Sequence, residues 1–168
     1  MLRKLEEKDV EYMLEWMHDP EVTKNFQADF LSMTKERVLN FVQNSFSEET
    51  QHFAFVNEQD EYLGTISLKH ISEDSHNAEY AIVTRVCAQG TGAAKKATYE
   101  LLEYAFEELK LHKVYLNVIA TNERARALYE KCGFKYEGLA REHFYIQGEY
   151  RDMCWYGITV DDYRKNNA

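Results

Sequence analysis

Hydrophobic residues recur at helical spacing in the first third of the chain. A predicted helix begins at Asp9, has apolar residues at intervals of three and four, and ends before Pro20, the only proline. Its apolar side is formed by Val10, Met13, Leu14 and Met17. A second helix is predicted after a cap at Ser32 or Thr34. Its buried side is formed by Val38, Phe41, Val42 and Ser45. A short edge strand, residues 2–5, is expected to precede both helices.

Strand-like segments fill the middle of the chain. Residues 52–57 and 62–70 are rich in β-branched and aromatic side chains and are separated by a polar turn, which predicts a hairpin. A third strand, residues 77–84, follows a second polar turn and completes an antiparallel meander. A glycine turn then leads into a long amphipathic helix, residues 92–110. The third strand of the meander is therefore predicted to lead directly into the glycine turn.

The second half of the chain alternates between strand and helix. Residues 113–120 are apolar at most positions, which predicts a central strand that is buried on both faces. Because a long helix separates this strand from residues 77–84, the two strands are expected to be parallel. A further helix is predicted between a cap at Asn122 and a left-handed residue at Gly133. A long hairpin, formed by residues 135–146 and 151–158, follows it.

This order of elements predicts an α/β (α+β) fold with a mixed central sheet of about seven strands and about four helices. We expect a single domain over residues 1–160, because a chain of 168 residues can enclose one core and is too short for two. Residues 161–168 form a polar tail that is expected to fray.

Composition narrows the classes of function. The formal net charge of −9 argues against nonspecific binding to nucleic acid, since phosphate backbones are held by Lys and Arg. It is compatible with a cationic substrate, although most acidic surfaces serve solubility alone. Three cysteines without metal-ligand spacing are typical of reduced thiols in a cytoplasmic protein, and no metal site is predicted. No apolar run is long enough to span a membrane, and the first ten residues lack the apolar core of a signal peptide.

The stretch from Gln89 to Ala94 joins a predicted strand to a predicted helix. Gly90 and Gly92 allow a tight turn with several backbone N–H groups on one side, and the helix N-terminus adds a partial positive charge. Such a turn is suited to a phosphate or a diphosphate. On these six residues alone, a plain glycine turn before a helix is an equally good interpretation.

Three stretches, in this order, resemble the Gcn5-related N-acetyltransferases (GNAT). They are AEYAIVTRVCAQGTGAA, VYLNVIATNERARALYEKCGFKYEG and REHFYIQGEYRDM. The phosphate turn of that family has Gln or Arg, Gly, and Gly or Ala at three fixed places, which Gln89, Gly92 and Ala94 match. The second stretch is similar to a further family pattern through Asn122, Leu128, Tyr129, Gly133 and Phe134. The third resembles the branch of ribosomal-protein N-terminal, spermidine and amino-sugar acetyltransferases.

The resemblance implies acetyl-coenzyme A as the co-substrate and no metal. Its diphosphate is expected at the backbone N–H groups of Gln89, Gly90, Thr91, Gly92, Ala93 and Ala94. Its pantetheine arm is expected along the strand end formed by Ile82, Val83 and Thr84, where the family separates this strand from its parallel neighbour. An N–H group there would also polarise the thioester carbonyl. Asn122 is expected to contact the pantetheine, although its role as a helix cap explains it equally well.

The same resemblance assigns catalysis to Tyr129 and Glu79. The tyrosine at this place in the family protonates the departing thiolate, and the alternative is a core tyrosine with a satisfied hydroxyl. The attacking amine must be neutral, whereas a free alkylamine titrates near ~10, so a base has to take its proton. Glu79 is the candidate because it lies on the strand that leads to the cofactor arm. The alternative is a surface carboxylate that pairs with a neighbouring strand.

The sequence leaves the amine acceptor undecided among a protein N-terminal amine, an amino sugar and a polyamine. Polyamine-acetylating relatives carry several acids in the first helical region, whereas the loop at 26–30 contains only Asp29, which weakens spermidine as the substrate. The segments before residue 50 and the hairpin near Gln147 are expected to shape the acceptor pocket. A noncatalytic acyl-coenzyme A sensor or partner-binding module is the rival function, and a nucleotide-binding protein without acyl chemistry is a third. Many such relatives pair through their C-terminal strands, so a homodimer is considered.

Overall fold

The computed structural model describes residues 1–168, in which seven strands form a single mixed sheet. The strands are β1 (Leu2–Lys4), β2 (Gln51–Val56), β3 (Tyr62–Ser72), β4 (Asn77–Thr84), β5 (Lys113–Ile119), β6 (Lys135–Ile146) and β7 (Glu149–Thr159). Their order across the sheet is β1-β2-β3-β4-β5-β7-β6. Neighbouring strands are antiparallel except β4 and β5, which are parallel. The predicted mixed sheet is confirmed, with its parallel pair at the expected crossover.

Six α-helices accompany the sheet, two more than the sequence predicted. They are α1 (Val10–Met17), α2 (Pro20–Thr23), α3 (Lys35–Gln43), α4 (Ala93–Glu103), α5 (Glu123–Lys131) and α6 (Val160–Asn166). The first helix ends at Met17, and Pro20 does not end it but begins α2, where the missing proline N–H is not needed. The expectation of a frayed tail was wrong, because Thr159 and Asp162 form a capping box that starts α6. No helix has the length and apolar composition that crossing a membrane would require.

The helices cover the two faces of the sheet unequally. On one face, α4 and α5 enclose the larger core, and on the other α1 and α3 pack over β2 and β3. The prediction that β5 is buried on both faces holds only in part. Its alternate residues Val114, Leu116 and Val118 are buried against α4 and α5. On the opposite side Ile119 is buried as well, whereas Tyr115 and Asn117 are half-buried. We call this opposite side of β4, β5 and β7 the open face.

Strands β4 and β5 are paired only at their beginnings. The last parallel pair joins Glu79 to Tyr115. Beyond it, β4 remains paired with β3 as far as Thr84, and β5 remains paired with β7 as far as Ile119. The two strands therefore part after Glu79 and leave a gap between residues 80–84 of β4 and 116–119 of β5.

Candidate functional site

The glycine turn after β4 carries unpaired backbone donors. Gly90 and Gly92 have φ values of 73° and 86°, a left-handed conformation that glycine adopts without strain. The N–H of Ala93 donates to Thr91 Oγ1 at 3.3 Å, and that of Lys96 donates to the Gly92 carbonyl. Four N–H groups have no acceptor in the chain, namely those of Gly90, Gly92, Ala94 and Lys95. A cluster of free donors at a helix N-terminus fits the oxygens of a diphosphate.

Arg124, in the first turn of α5, brings a positive charge to the glycine turn. Its Nη1 donates to Gln89 Oε1 at 3.1 Å, and its Nη2 lies 3.9 Å from the position that a Cβ would occupy on Gly90. Lys95 and Lys96 are exposed at the start of α4. Arg124 could not be identified from the sequence, because nothing in the chain order places α5 beside this turn.

The end of β4 directs only some of its peptide groups into the gap. The Arg85 N–H donates to the Leu63 carbonyl of β3 at 2.8 Å. Successive peptide groups on a strand point to alternate sides, so Val83 also faces β3, whereas Ile82 and Thr84 face the gap. Of the three residues predicted to bind through the backbone, Ile82 and Thr84 are the two whose peptide groups are available to a ligand in the gap.

Arg85 anchors β4 immediately before the glycine turn, a role that the sequence analysis missed. The buried guanidinium donates to Glu15 Oε2 at 2.7 Å, to Glu61 Oε1 at 2.8 Å and to the Tyr62 carbonyl at 2.9 Å. It also lies over the Tyr12 ring, 4.4 Å from the centroid. The hydrogen bond to Glu15 raises the pKa of Arg85 above its ordinary value. These contacts tie the end of β4 to α1 and β3 and so fix where the turn begins.

Tyr129 lies buried on α5, with its ring against the edge of Tyr80 at 5.6 Å. Its hydroxyl makes no hydrogen bond in the chain, and the side chain retains a small exposed area. By contrast, the hydroxyl of Tyr80 bonds to Thr98 Oγ1 at 2.7 Å. Tyr129 is therefore not a core tyrosine with a satisfied hydroxyl. Burial raises the pKa of Tyr129 above its ordinary value of 10, so the phenol stays protonated at neutral pH.

Glu79 is held at the base of the gap, on the open face. Its Oε1 accepts from Asn117 Nδ2 at 2.9 Å, and its Oε2 lies 3.5 Å from Lys69 Nζ and 3.7 Å from His70 Nε2. The contact with Lys69 shows that pairing with a neighbouring strand, the alternative interpretation, does occur. Asn117 was missed, although an amide in an otherwise apolar strand was a signal that could have identified it.

The remaining predicted positions lie around the same gap. Asn122 caps α5, since its Oδ1 accepts from the Ala125 N–H at 3.2 Å. The segments expected to shape an acceptor pocket contact each other, because Gln147 Nε2 donates to the Thr23 carbonyl at 2.9 Å. No group of three or more His, Cys, Asp or Glu side chains is arranged to hold a metal ion.

Comparison with known proteins identifies the class of this fold and site. The acetyltransferase (GNAT) domain family matches residues 1–135. The spermidine N(1)-acetyltransferase of Vibrio cholerae is 37% identical over 103 residues, which cover 61% of this chain and 60% of that protein. The enzyme of the same name from Escherichia coli K12 is 31% identical over 158 residues, 91% of this chain and 83% of that protein.

A solved structure agrees with these matches. The crystal structure of spermidine N-acetyltransferase from Vibrio cholerae in complex with CoA and spermine has a TM-score of 0.89 to this chain, with 27% identity over 98% of this chain and 97% of that one. The chain therefore belongs to the GNAT family. It is an N-acetyltransferase that uses acetyl-coenzyme A.

Proposed function

We propose that this chain acetylates a primary amine of a polyamine, by direct attack of the amine on acetyl-coenzyme A while both are bound. One observation carries the proposal. The gap between β4 and β5 opens beside the free donors of the glycine turn, and Glu79 and Tyr129 flank it from opposite faces of the sheet. Binding both substrates at one gap converts a bimolecular reaction into one between neighbouring groups.

Acetyl-coenzyme A supplies the activated acetyl group when it is bound. The free N–H groups of Gly90, Gly92, Ala94 and Lys95 would hold its diphosphate. Arg124 adds a charge beside them, and the peptide groups of Ile82 and Thr84 would hold its pantetheine arm. Asn122 retains a free side-chain amide beside the cap that it forms and would contact the arm at the end of β5.

Glu79 would accept the proton of the acceptor ammonium. The hydrogen bond from Asn117 fixes the orientation of one carboxylate oxygen, and the second oxygen faces Lys69 and His70. Only 15% of the Glu79 side chain is exposed, so an amine that reaches it leaves bulk water. Proton removal by a carboxylate at this position contributes the general-base step.

Tyr129 would donate its proton to the departing sulfur. Its hydroxyl is free of partners in the chain, and its raised pKa keeps it protonated at neutral pH, so that a proton is available for donation. Negative charge develops on the sulfur as the carbon–sulfur bond breaks, and the Tyr129 proton would move to the sulfur as the thiol departs. Proton donation at that moment assists the departure of the thiol.

Two observations support a polyamine as the acceptor. The relatives that match over most of this chain include spermidine acetyltransferases, and the net charge of −9 attracts a polycation. The single acid in the loop at 26–30 does not supply the carboxylate cluster that the resemblance led us to expect. Recognition of the polyamine would then depend on other side chains of the open face.

Thiol release from acetyl-coenzyme A, measured with a panel of amines, tests the proposal. The panel contains spermine, spermidine, glucosamine, a peptide with a free N-terminus and n-propylamine. We expect the highest kcat/KM with the two polyamines. Preferential turnover of the peptide would show that the acceptor is a protein N-terminal amine and not a polyamine. Binding of coenzyme A without turnover of any amine would instead support the rival function, a noncatalytic acyl-coenzyme A sensor.

We also infer a cytoplasmic location and a homodimer. All three cysteines, Cys87, Cys132 and Cys154, are free thiols, as in a reducing compartment. The strand β6 is an edge of the sheet and carries the exposed side chains Tyr136 and Leu139, which suit contact with a second copy. Light scattering of the purified chain would measure the mass and separate the dimer from the monomer.

A further inference from the structure

Tyr115 and Trp155 form a half-buried aromatic pair beside Glu79. Their ring centroids are 6.3 Å apart and their planes are inclined by 31°. Their chain neighbours Leu116 and Tyr156 point into the core beneath α4 and α5. Because successive residues of a strand point to opposite faces, Tyr115 and Trp155 lie on the open face together with Glu79. The pair is thus the first surface that an acceptor meets beyond the proposed base.

The residues around Trp155 leave its ring accessible. Across β7, Trp155 is in register with Asn117 of β5 and with Gly138 of β6. Gly138 has no side chain, and nothing lies within 4 Å of the position that its Cβ would occupy. The His143 ring lies edge-on to Trp155, 6.1 Å between centroids, and Trp155 remains half-buried. Its ring therefore offers a surface to a ligand as well as to its neighbours.

Carboxylates available to a second ammonium are scarce on this face. Glu79 is assigned to the reacting amine, and Glu137, which lies over Gly157, is paired with Lys113 Nζ at 2.8 Å. Aromatic faces can replace carboxylates here, because they attract cations through the negative potential of the ring and also pack against methylene groups. A polyamine presents both kinds of group in alternation.

We propose that Tyr115 and Trp155 bind the methylene spacer and the second ammonium of the acceptor, while its reacting amine lies at Glu79. This inference rests on the proposed function and names the specificity residues of the same site. Tyr115 is one strand away from Glu79 and Trp155 is two strands away, at a spacing of about 4.8 Å per strand. A spacer of three or four methylenes would therefore place the next ammonium over the rings of Tyr115 and Trp155.

The test compares kcat/KM for spermine, spermidine and n-propylamine in the intact chain and in three variants. Trp155→Leu removes the aromatic face and keeps an apolar side chain, whereas Trp155→Phe keeps an aromatic face. Tyr99→Leu is the matched control, because Tyr99 is an exposed aromatic residue of α4, which covers the face of the sheet opposite to Glu79. We expect Trp155→Leu to lower kcat/KM for both polyamines by roughly 10-fold, chiefly through KM, and for n-propylamine by less than about 2-fold. Trp155→Phe should retain most of the activity and Tyr99→Leu all of it.

An equal loss for all three amines in Trp155→Leu, or no loss for any, would overturn the inference and leave the proposed function standing. Failure of the unmodified chain to acetylate either polyamine would overturn both. If Trp155→Leu does not fold, Tyr115→Leu provides the same comparison from the other ring. Its expected result is again a selective loss for the polyamines.

Discussion

Glu79 and Tyr129 lie on opposite faces of the sheet, at the level where β4 separates from β5. Tyr80, which follows Glu79 in the strand, packs against the Tyr129 ring at 5.6 Å, whereas Glu79 turns to the open face and bonds to Asn117. A group in the gap is therefore reached by a carboxylate from one side and by a phenol from the other. Under the proposed function, Glu79 would remove a proton on one face while Tyr129 supplies one on the other, and the sheet would keep the two groups from exchanging that proton directly.

Replacing Tyr129 by Phe should lower kcat by about 10²–10³-fold, because the departing sulfur loses its proton donor. The Kd for coenzyme A should change by less than about 2-fold, since the hydroxyl makes no structural hydrogen bond. Steady-state kinetics and calorimetry on the same preparation measure both quantities. Equal turnover in the variant and the unmodified chain would remove Tyr129 from the acid role.

Replacing Glu79 by Gln should lower kcat at pH 7 by about 10²–10³-fold while the contact with Asn117 is retained. The deficit should shrink as the pH approaches ~10, where the acceptor amine loses its proton to solvent. Glu73→Gln, in the exposed turn after β3, is the control and should behave as the unmodified chain. A deficit that stays constant with pH would argue against a base and for a purely structural carboxylate.

Replacing Gly92 by Ala should weaken coenzyme A binding through the backbone of the turn. Gly148, in the β6–β7 turn, is the matched control, because its φ of 87° is close to the 86° of Gly92 and neither Cβ would meet an atom within 4 Å. Both variants should lose about 1–2 kcal/mol of unfolding free energy, since an L-residue is strained in this conformation. Only Gly92→Ala should raise the Kd for coenzyme A. Equal affinity in the two variants would show that the turn does not bind the cofactor.

His52 should make the stability of the fold depend on pH. Its Nδ1 lies 2.6 Å from Ser67 Oγ, and burial, together with Lys69, lowers the pKa of His52 from 6.5 to about 4. The unfolded chain therefore binds a proton at a higher pH than the native chain does. The contribution of neutral His52 to the free energy of unfolding is therefore fully present above pH 6.5. As the pH falls towards 4, the fold loses on the order of 2 kcal/mol of this contribution.

The comparison of unmodified chain with His52→Gln isolates this effect. Urea unfolding at pH 7.5, 5.5 and 4.5 measures the free energy of unfolding of each. The difference between the two chains should narrow as the pH falls, because only the unmodified chain loses the His52 contribution. A difference in the free energy of unfolding that stays constant from pH 7.5 to 4.5 would show that His52 does not cause the pH dependence.

Local rules of sequence explain which features could be predicted. The cap at Asn122 and the left-handed Gly133 follow from the chemistry of single residues at helix ends, and both are present. The glycine turn and the parallel pair follow from the order of strand, turn, helix and strand. Periodicity and turn chemistry therefore sufficed for the sheet and the glycine turn, whereas the gap between β4 and β5 was expected only from the resemblance to the GNAT family.

Features that depend on contacts distant in sequence could not be predicted in this way. Arg124 reaches Gln89, and Arg85 reaches Glu15, only because the fold brings separate elements together. The open face of β5 has the same origin, because Tyr115 and Ile119 made the strand look buried on both sides, and only Ile119 is covered by neighbouring elements. How far the helices extend over a sheet is decided by packing and not by the pattern within one strand.

A crystal structure with bound coenzyme A tests the central claim most directly. We predict diphosphate oxygens about 3 Å from the backbone nitrogens of Gly90, Gly92, Ala94 and Lys95, and the sulfur in the gap within reach of the Tyr129 hydroxyl. A diphosphate bound elsewhere, with these four N–H groups still unpaired or satisfied by the protein itself, would contradict the account.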